Sequence, residues 1–418
     1  MTTVENGPDR GRAGMAGRAV PIGFAIAVVV VALNQRLAVA SVGPILDQVQ
    51  HSLGLSSAGA SALTAAPVFC FGLLALVAPR IARRLGLHRA VLAVVATVTV
   101  GLVIRIGPDI ATLFIGTVIA AAGIATANVL LPVLVKRDFP EATGTMMGLY
   151  TTAVVGSAAI GAGLTVPIAD AIGHGWRGGL GIWVAAAAIA FLLWLPHARA
   201  DRPLVAEPER PAPGLWRDPM AWAVTAFFGM QSLSFYAVLN WLPSLYQDHG
   251  YSAASAGGLL SLTAFVQLPI ALVLPTYAER ARDQRVSVAF ATGFTAIGFL
   301  GLWLAPTKPA VLWVVLLGIG QGAAFAVGLL LIVMRTRSHG STAQLSSMAQ
   351  SVGYLIAGLG PLFVGALHSW TGGWGAPLVF LLVLTIPQLV SGLAAGSTGY
   401  VTAGAGITVG VDDERQGP

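Results

Sequence analysis

The sequence predicts an all-α integral membrane protein, with twelve transmembrane helices arranged as two six-helix bundles. Composition, the spacing and flanking charge of the apolar runs, and an internal repeat each point there. Of 418 residues, 56% are hydrophobic and 10% charged, against about 25% charged in soluble domains. The 51 glycines suit membrane helices that approach closely. A single cysteine, Cys70, excludes an internal disulfide and a thiolate metal cluster. The pI near 9.9 does not signal nucleic-acid binding. The basic residues sit in short loops between apolar runs, where they set membrane orientation.

A bilayer crossing needs about 20 mainly apolar residues. Such runs fall near 20–46, 57–79, 90–106, 110–135, 143–168 and 179–196. A second set falls near 219–246, 255–278, 286–305, 310–334, 344–367 and 376–395. The first run is too long, and followed by too many others, to be a cleavable signal peptide. The first and seventh are long enough to tilt or to project beyond the bilayer. Nineteen of the 23 Lys and Arg lie in the two tails and in loops after even-numbered runs. Loops after odd-numbered runs hold only Arg105, Arg177 and Lys308. The positive-inside rule then predicts a multi-pass plasma-membrane protein with both termini cytoplasmic.

The expected organisation follows. Residues 1–19 form a cytoplasmic tail, 20–196 one bundle, 197–218 a cytoplasmic linker, 219–395 the second bundle and 396–418 a second tail. The linker carries Pro203, Pro208, Pro211 and Pro213 among charges, a semi-flexible composition. Gly54–Arg84 aligns without gaps on Gly250–Arg280 with twelve identities over 31 positions. Among these are Gly54/Gly250, Ser56/Ser252, Leu63/Leu259, Phe69/Phe265, Pro79/Pro275 and Arg84/Arg280. A weaker echo joins Gly123-x-Ala-x-Ala to Gly322-x-Ala-x-Ala. Two six-span halves in the same orientation form a parallel repeat, which places a substrate site at the midplane between them.

Arg36 lies inside the first apolar run, PIGFAIAVVVVALNQRLAVASVGPIL. A charge at that depth costs at least ~2.5 kcal/mol and usually faces a cavity. Every Asp and Glu falls at a span end, in a loop or in a tail, so the natural partner for Arg36 is a bound anion or polarised solute. The plain alternative is a structural pair with a loop carboxylate or carbonyl. Gln350 and Tyr354 are spaced i,i+4 and share a face of the eleventh span, and Tyr236 and Asn240 share one in the seventh. Asn128 in the fourth span and Tyr150 opening the fifth add to the set. Gln231 faces away from Tyr236. Asn34 sits about 200° around the helix from Arg36 and reaches the same cavity only if the helix breaks. The candidate substrate-binding set is therefore Arg36, Asn34, Asn128, Tyr150, Gln231, Tyr236, Gln350 and Tyr354. Gln267 and Gln321 read as packing, the common role of intramembrane polar side chains, whose bonds average about 0.6 kcal/mol.

No intramembrane Asp, Glu or His offers a proton relay, which argues against a proton-coupled exporter of cationic drugs. No phosphate-binding loop, metal-ligand cluster or nucleophile–base pair appears, so neither a cofactor nor an enzyme is expected.

Several strings resemble the cyanate permease and nitroimidazole exporter branch of the major facilitator superfamily. They include Asn34-Gln35-Arg36-Leu37 with Ser41-Val42-Gly43-Pro44. Ala127-Asn128-Val129-Leu130-Leu131-Pro132 runs on to Lys136-Arg137-Asp138-Phe139-Pro140 and Met147-Gly148-Leu149-Tyr150-Thr151. Gln231-Ser232, Phe235-Tyr236 and Trp241-Leu242-Pro243-Ser244 match in the seventh helix. Gln350-x-x-Gly353-Tyr354, Gly360-Pro361 and Thr371-Gly372-Gly373-Trp374 match further on. The resemblance spans residues 20 to 395. It departs at Leu37, where the family has Pro, at His368, where an acidic residue is expected, and at Pro79–Gly86, where the loop motif lacks its acidic residue. It implies a secondary transporter of small anionic or polar solutes, with the superfamily's two-bundle fold. Arg36 would carry the electrostatic contact and the amides and tyrosines the orientation. The expectation is a cyanate-like solute moved by alternating access. One rival is an exporter of nitroaromatic, drug-like compounds, with a pocket built on Tyr150, Phe235, Tyr236 and Trp241. Another is a transporter-like sensor without turnover, against which the short tails argue. The lipid bilayer and a small solute are the expected partners, and a monomer the expected state.

Overall fold

The computed structural model describes residues 22–199 and 214–401. The expected tail 1–19, most of the linker 197–218 and most of the tail 396–418 lie outside the described residues. The first bundle comprises α1 (Ile22–Ala40), α2 (Leu46–Leu53), α3 (Ser57–Leu74), α4 (Ala78–Leu85), α5 (Leu87–Arg105), α6 (Ile110–Asp138), α7 (Thr143–Ile172) and α8 (Gly175–Arg199). The second comprises α9 (Pro219–Asp248), α10 (Ala253–Arg280), α11 (Arg285–Leu304), α12 (Ala310–Met334), α13 (His339–Thr371) and α14 (Gly375–Ala395). Twelve stretches are long and apolar enough to cross a membrane. α3 and α4, joined by a 3-10 turn over Ala75–Val77, make the second.

The repeat shows first in the helix caps. Gly54 and Gly250 both take left-handed φ, +65° and +87°, which costs glycine little. Two residues on, Ser56 and Ser252 each accept a backbone N–H from the first turn of the helix that follows. Outside the spans, Asp109 caps α6. The Thr112 backbone N–H and hydroxyl hold its carboxyl below the usual range.

Packing repeats as well. α1 lies against α7 and α8 as α9 lies against α13 and α14, and α5 pairs with α6 as α11 pairs with α12. The bundles meet along α3 against α13 and α7 against α10, which are also repeat-related. Several polar bonds between them lie at one end. Lys136 Nζ donates to Val333 O at 2.8 Å, to Thr336 Oγ1 at 2.9 Å and to Thr336 O. Glu279 Oε2 accepts the Gly144 N–H, 2.5 Å away, at the start of α7. Phe24 stacks on Phe139 near this end, and Val401 N donates to Arg335 O there. Both described chain ends and most of the basic loops share this end, called the basic end below. It is shut.

One expectation fails in detail. Arg105, expected in a loop, closes the last turn of α5 at 1% exposure. Its Nη1 donates to Ala38 O, 2.5 Å away, while its Nε and Nη2 have no partner among the described residues.

Candidate functional site

α1 is unbroken from Ile22 to Ala40 and carries Arg36 to the middle of the molecule. Its Nη1 donates to Tyr236 Oη on α9 at 2.7 Å, and its Nη2 to Tyr354 Oη on α13 at 3.4 Å. The guanidinium carbon lies 5.6 Å from the ring centroid of Phe71 on α3, within cation–π range. Arg36 of α1 is thus held by three further helices drawn from both bundles. It forms no ion pair with a carboxylate among the described residues, and it lies partly buried in a mid-span position.

Aromatic packing fixes the two phenols. Tyr354 meets Phe71 at 5.4 Å and Phe228 edge-on at 5.6 Å, and Tyr236 meets Phe235 edge-on at 5.4 Å. Each phenol oxygen accepts from Arg36, so each keeps its own O–H to donate. Together with the guanidinium they form a cluster of donors.

A second polar layer adjoins the first. Tyr150 Oη donates to Gln35 Oε1 at 3.1 Å, and Gln35 Nε2 is buried without a partner among the described residues. Gln350 Nε2 donates to the backbone oxygen of Asn128 at 2.8 Å and to Ser346 Oγ at 2.9 Å. The Asn128 carbonyl is open to that bond because Pro132, four residues on, has no N–H for it. The Asn128 side-chain Nδ2 is buried and has no partner among the described residues.

The structure therefore joins Arg36, Tyr236 and Tyr354 directly, and sets Tyr150, Asn128 and Gln350 beside them. It does not join Asn34 or Gln231. Asn34 Nδ2 bonds Val30 O at 2.9 Å and Ala186 O at 3.4 Å, toward α8, as an unbroken α1 requires. Gln231 Nε2 bonds Ser232 Oγ at 2.6 Å. Asn240 is exposed and bonds Tyr236 O. Sequence reasoning missed Gln35, Phe71 and Phe228. Gln35 stood inside the same Asn-Gln-Arg string, but the two aromatics had no signal among so many apolar residues.

Comparison with known proteins fits this architecture. The Major Facilitator Superfamily profile matches residues 24–361. The chain is 36% identical to the 2-nitroimidazole transporter of Escherichia coli K12 over 371 residues, covering 88% of this chain and 94% of that one. It is 31% identical to the cyanate transport protein CynX of the same organism, covering 84% and 91%. Among solved structures it resembles the proton:xylose symporter XylE with a TM-score of 0.72 at 12% identity, covering 91% and 98%. This twelve-span, multi-pass membrane protein belongs to the major facilitator superfamily and is a transporter of small solutes.

Proposed function

We propose that this transporter carries a small, planar solute whose delocalised negative or strongly polarised group docks on Arg36. The observation that carries this reading is the pairing of a mid-span guanidinium with two phenols and no carboxylate. Phenols solvate a charge without neutralising it. An anion would do both, and a guanidinium matches planar oxyanions bidentately. The donor cluster favours acceptor-only groups such as cyanate, carboxylate or nitro over amines and amides. The names of the two relatives, a cyanate and a 2-nitroimidazole transporter, are consistent with such a group.

A second reading has its own support. Phe71, Phe228 and Phe235 pack around the two tyrosines, and an aromatic setting of this kind suits a nitroaromatic ring stacked on the tyrosines themselves. In both readings the bundles 20–196 and 219–395 rock about the site, linked by 197–218. The basic end faces the cytoplasm and is shut, so solute reaches Arg36 from outside.

A thermal-shift panel on the purified protein tests this, using cyanate, benzoate, 2-nitroimidazole and an alkylamine, followed by uptake into proteoliposomes. A ligand at a hundred times its Kd stabilises by about 2.7 kcal/mol, a readable shift. Stabilisation by the anions or the nitro compound supports the reading, and stabilisation by the amine alone refutes it.

A further inference from the structure

Two hydrogen bonds between the bundles are related by the internal repeat, residue for residue. Ser347 Oγ on α13 donates to Ala75 O at 2.9 Å, and Thr151 Oγ1 on α7 lies 2.9 Å from Ala271 O on α10. Thr151 and Ser347 are 196 positions apart, as are Ala75 and Ala271. The same offset aligns Gly54–Arg84 with Gly250–Arg280. Each acceptor stands four residues before a proline, Pro79 or Pro275, and these also share the offset.

The chemistry explains the pairing. Proline brings no N–H to the carbonyl four residues back, and its ring crowds that carbonyl. In a membrane the freed oxygen must find a donor, and Ser or Thr of a neighbouring helix supplies one. At Ala75 the chain also tightens into its 3-10 turn, placing the Ala78 N–H on the same oxygen and leaving a second lone pair for Ser347. The Thr151 hydroxyl lies 2.8 Å from Met147 O and 3.1 Å from Gly148 O on its own helix as well. In a regular helix those carbonyls already receive backbone N–H groups. Its one hydrogen therefore does most for Ala271 O. Both hydroxyl residues are buried, at 0% and 4% exposure.

Position gives the pair its role. Each donor lies about 12 Å along its helix from the basic end. Thr151 follows Tyr150, and Ser347 lies within one turn of Gln350. The same two helices therefore carry both the bonds and the site. We propose that Thr151 and Ser347 are paired positioning residues that hold the basic end shut, each by its hydroxyl on a proline-freed carbonyl of the opposite bundle. When the basic end parts, both bonds break together. The pseudo-symmetry of the pair lets the bundles separate without one side leading.

The test uses the full chain in nanodiscs with Cys70→Ala and spin labels at the exposed basic-end positions Arg84→Cys and Arg337→Cys. Thr151→Val and Ser347→Ala should each raise the ratio of long to short label distances about two- to tenfold, the worth of one hydrogen bond. The double variant should give roughly the product, since the two bonds share no partner and are lost in the same opening step. Thr151→Ser and Ser347→Thr should keep the parental distances. Pro275→Ala returns an N–H to Ala271, so Thr151→Val should add little on that background, while Ser347→Ala keeps its full effect. Should Thr151→Val not fold, Ser347→Ala against Ser347→Thr makes the distance test on the other side. Unchanged distances in the double variant, with or without a lower melting temperature, would reduce these hydroxyls to packing and overturn the proposal. So would a Thr151→Val effect indifferent to Pro275→Ala.

Discussion

A guanidinium held by neutral phenols is the least ordinary residue-scale feature of this protein. Tyr236 takes the short bond, 2.7 Å, and Tyr354 the long one, 3.4 Å. A net neutral hydrogen bond is worth about 0.5–1.5 kcal/mol. Tyr236→Phe should therefore weaken solute binding more than Tyr354→Phe, each by less than about tenfold, read by calorimetric titration. Equal or reversed losses would contradict the geometry. Arg105 invites the opposite experiment. It is a buried cation with two unpartnered groups, and Ser41 Oγ already donates to the Ala38 carbonyl that Arg105 serves. Replacing a poorly compensated buried charge by an apolar side chain of similar volume is often neutral or stabilising. Arg105→Met should keep or raise the melting temperature in detergent, and a marked fall would show that the charge is needed. Much of this layer could be read in the sequence, because Arg36, Tyr236 and Tyr354 are polar groups in runs where every polar group needs a reason. Gln35 could not be assigned. Its partner Tyr150 lies 115 positions away, and only the folded bundle brings the two together.

At the scale of elements, small residues set how closely helices pass. A Cβ on Gly320 would sit 2.4 Å from Thr295 N, on the backbone of the neighbouring α11. Gly320→Ala should cost about 1–3 kcal/mol, as overpacking does. Gly293 on α11 meets nothing within 4 Å, so Gly293→Ala should gain up to about 1 kcal/mol of helix propensity. Chemical unfolding of the two variants checks the contrast, and similar effects would contradict it. The elements themselves were legible because apolar length and flanking charge are strong signals. Their ends were less so. α13 runs from His339 to Thr371, well past the expected 344–367, because polar residues continue the helix beyond the apolar run. α1 runs unbroken past Leu37, which supplies an ordinary N–H that proline would have removed, and the chain turns only at the 3-10 turn Gly43–Ile45, where Pro44 sits.

At the scale of the whole molecule, the repeat in the sequence becomes a pseudo-symmetric pair of bundles, and the asymmetric residue between them is Arg36. Orientation rests on the basic loops. Cysteines placed in 197–218 should be shielded from impermeant reagents in intact cells, whereas cysteines near 170–176 should react, and the reverse pattern would invert the protein in its membrane. The substrate reading makes a stronger demand. A solute that binds the guanidinium also neutralises it, and only then can the bundles close over the site without burying a bare charge, which is costly. The direct measurement places spin labels at the exposed outer positions Asp170→Cys and Lys308→Cys, with Cys70→Ala, and records their separation while the tightest ligand of the panel is added. Ligand should shorten that distance in the parent, shorten it weakly in Arg36→Lys, which keeps the charge but loses the planar fork, and leave it unchanged in a folded Arg36→Ala. Closure of Arg36→Ala by the same ligand at the parental concentration would contradict the account.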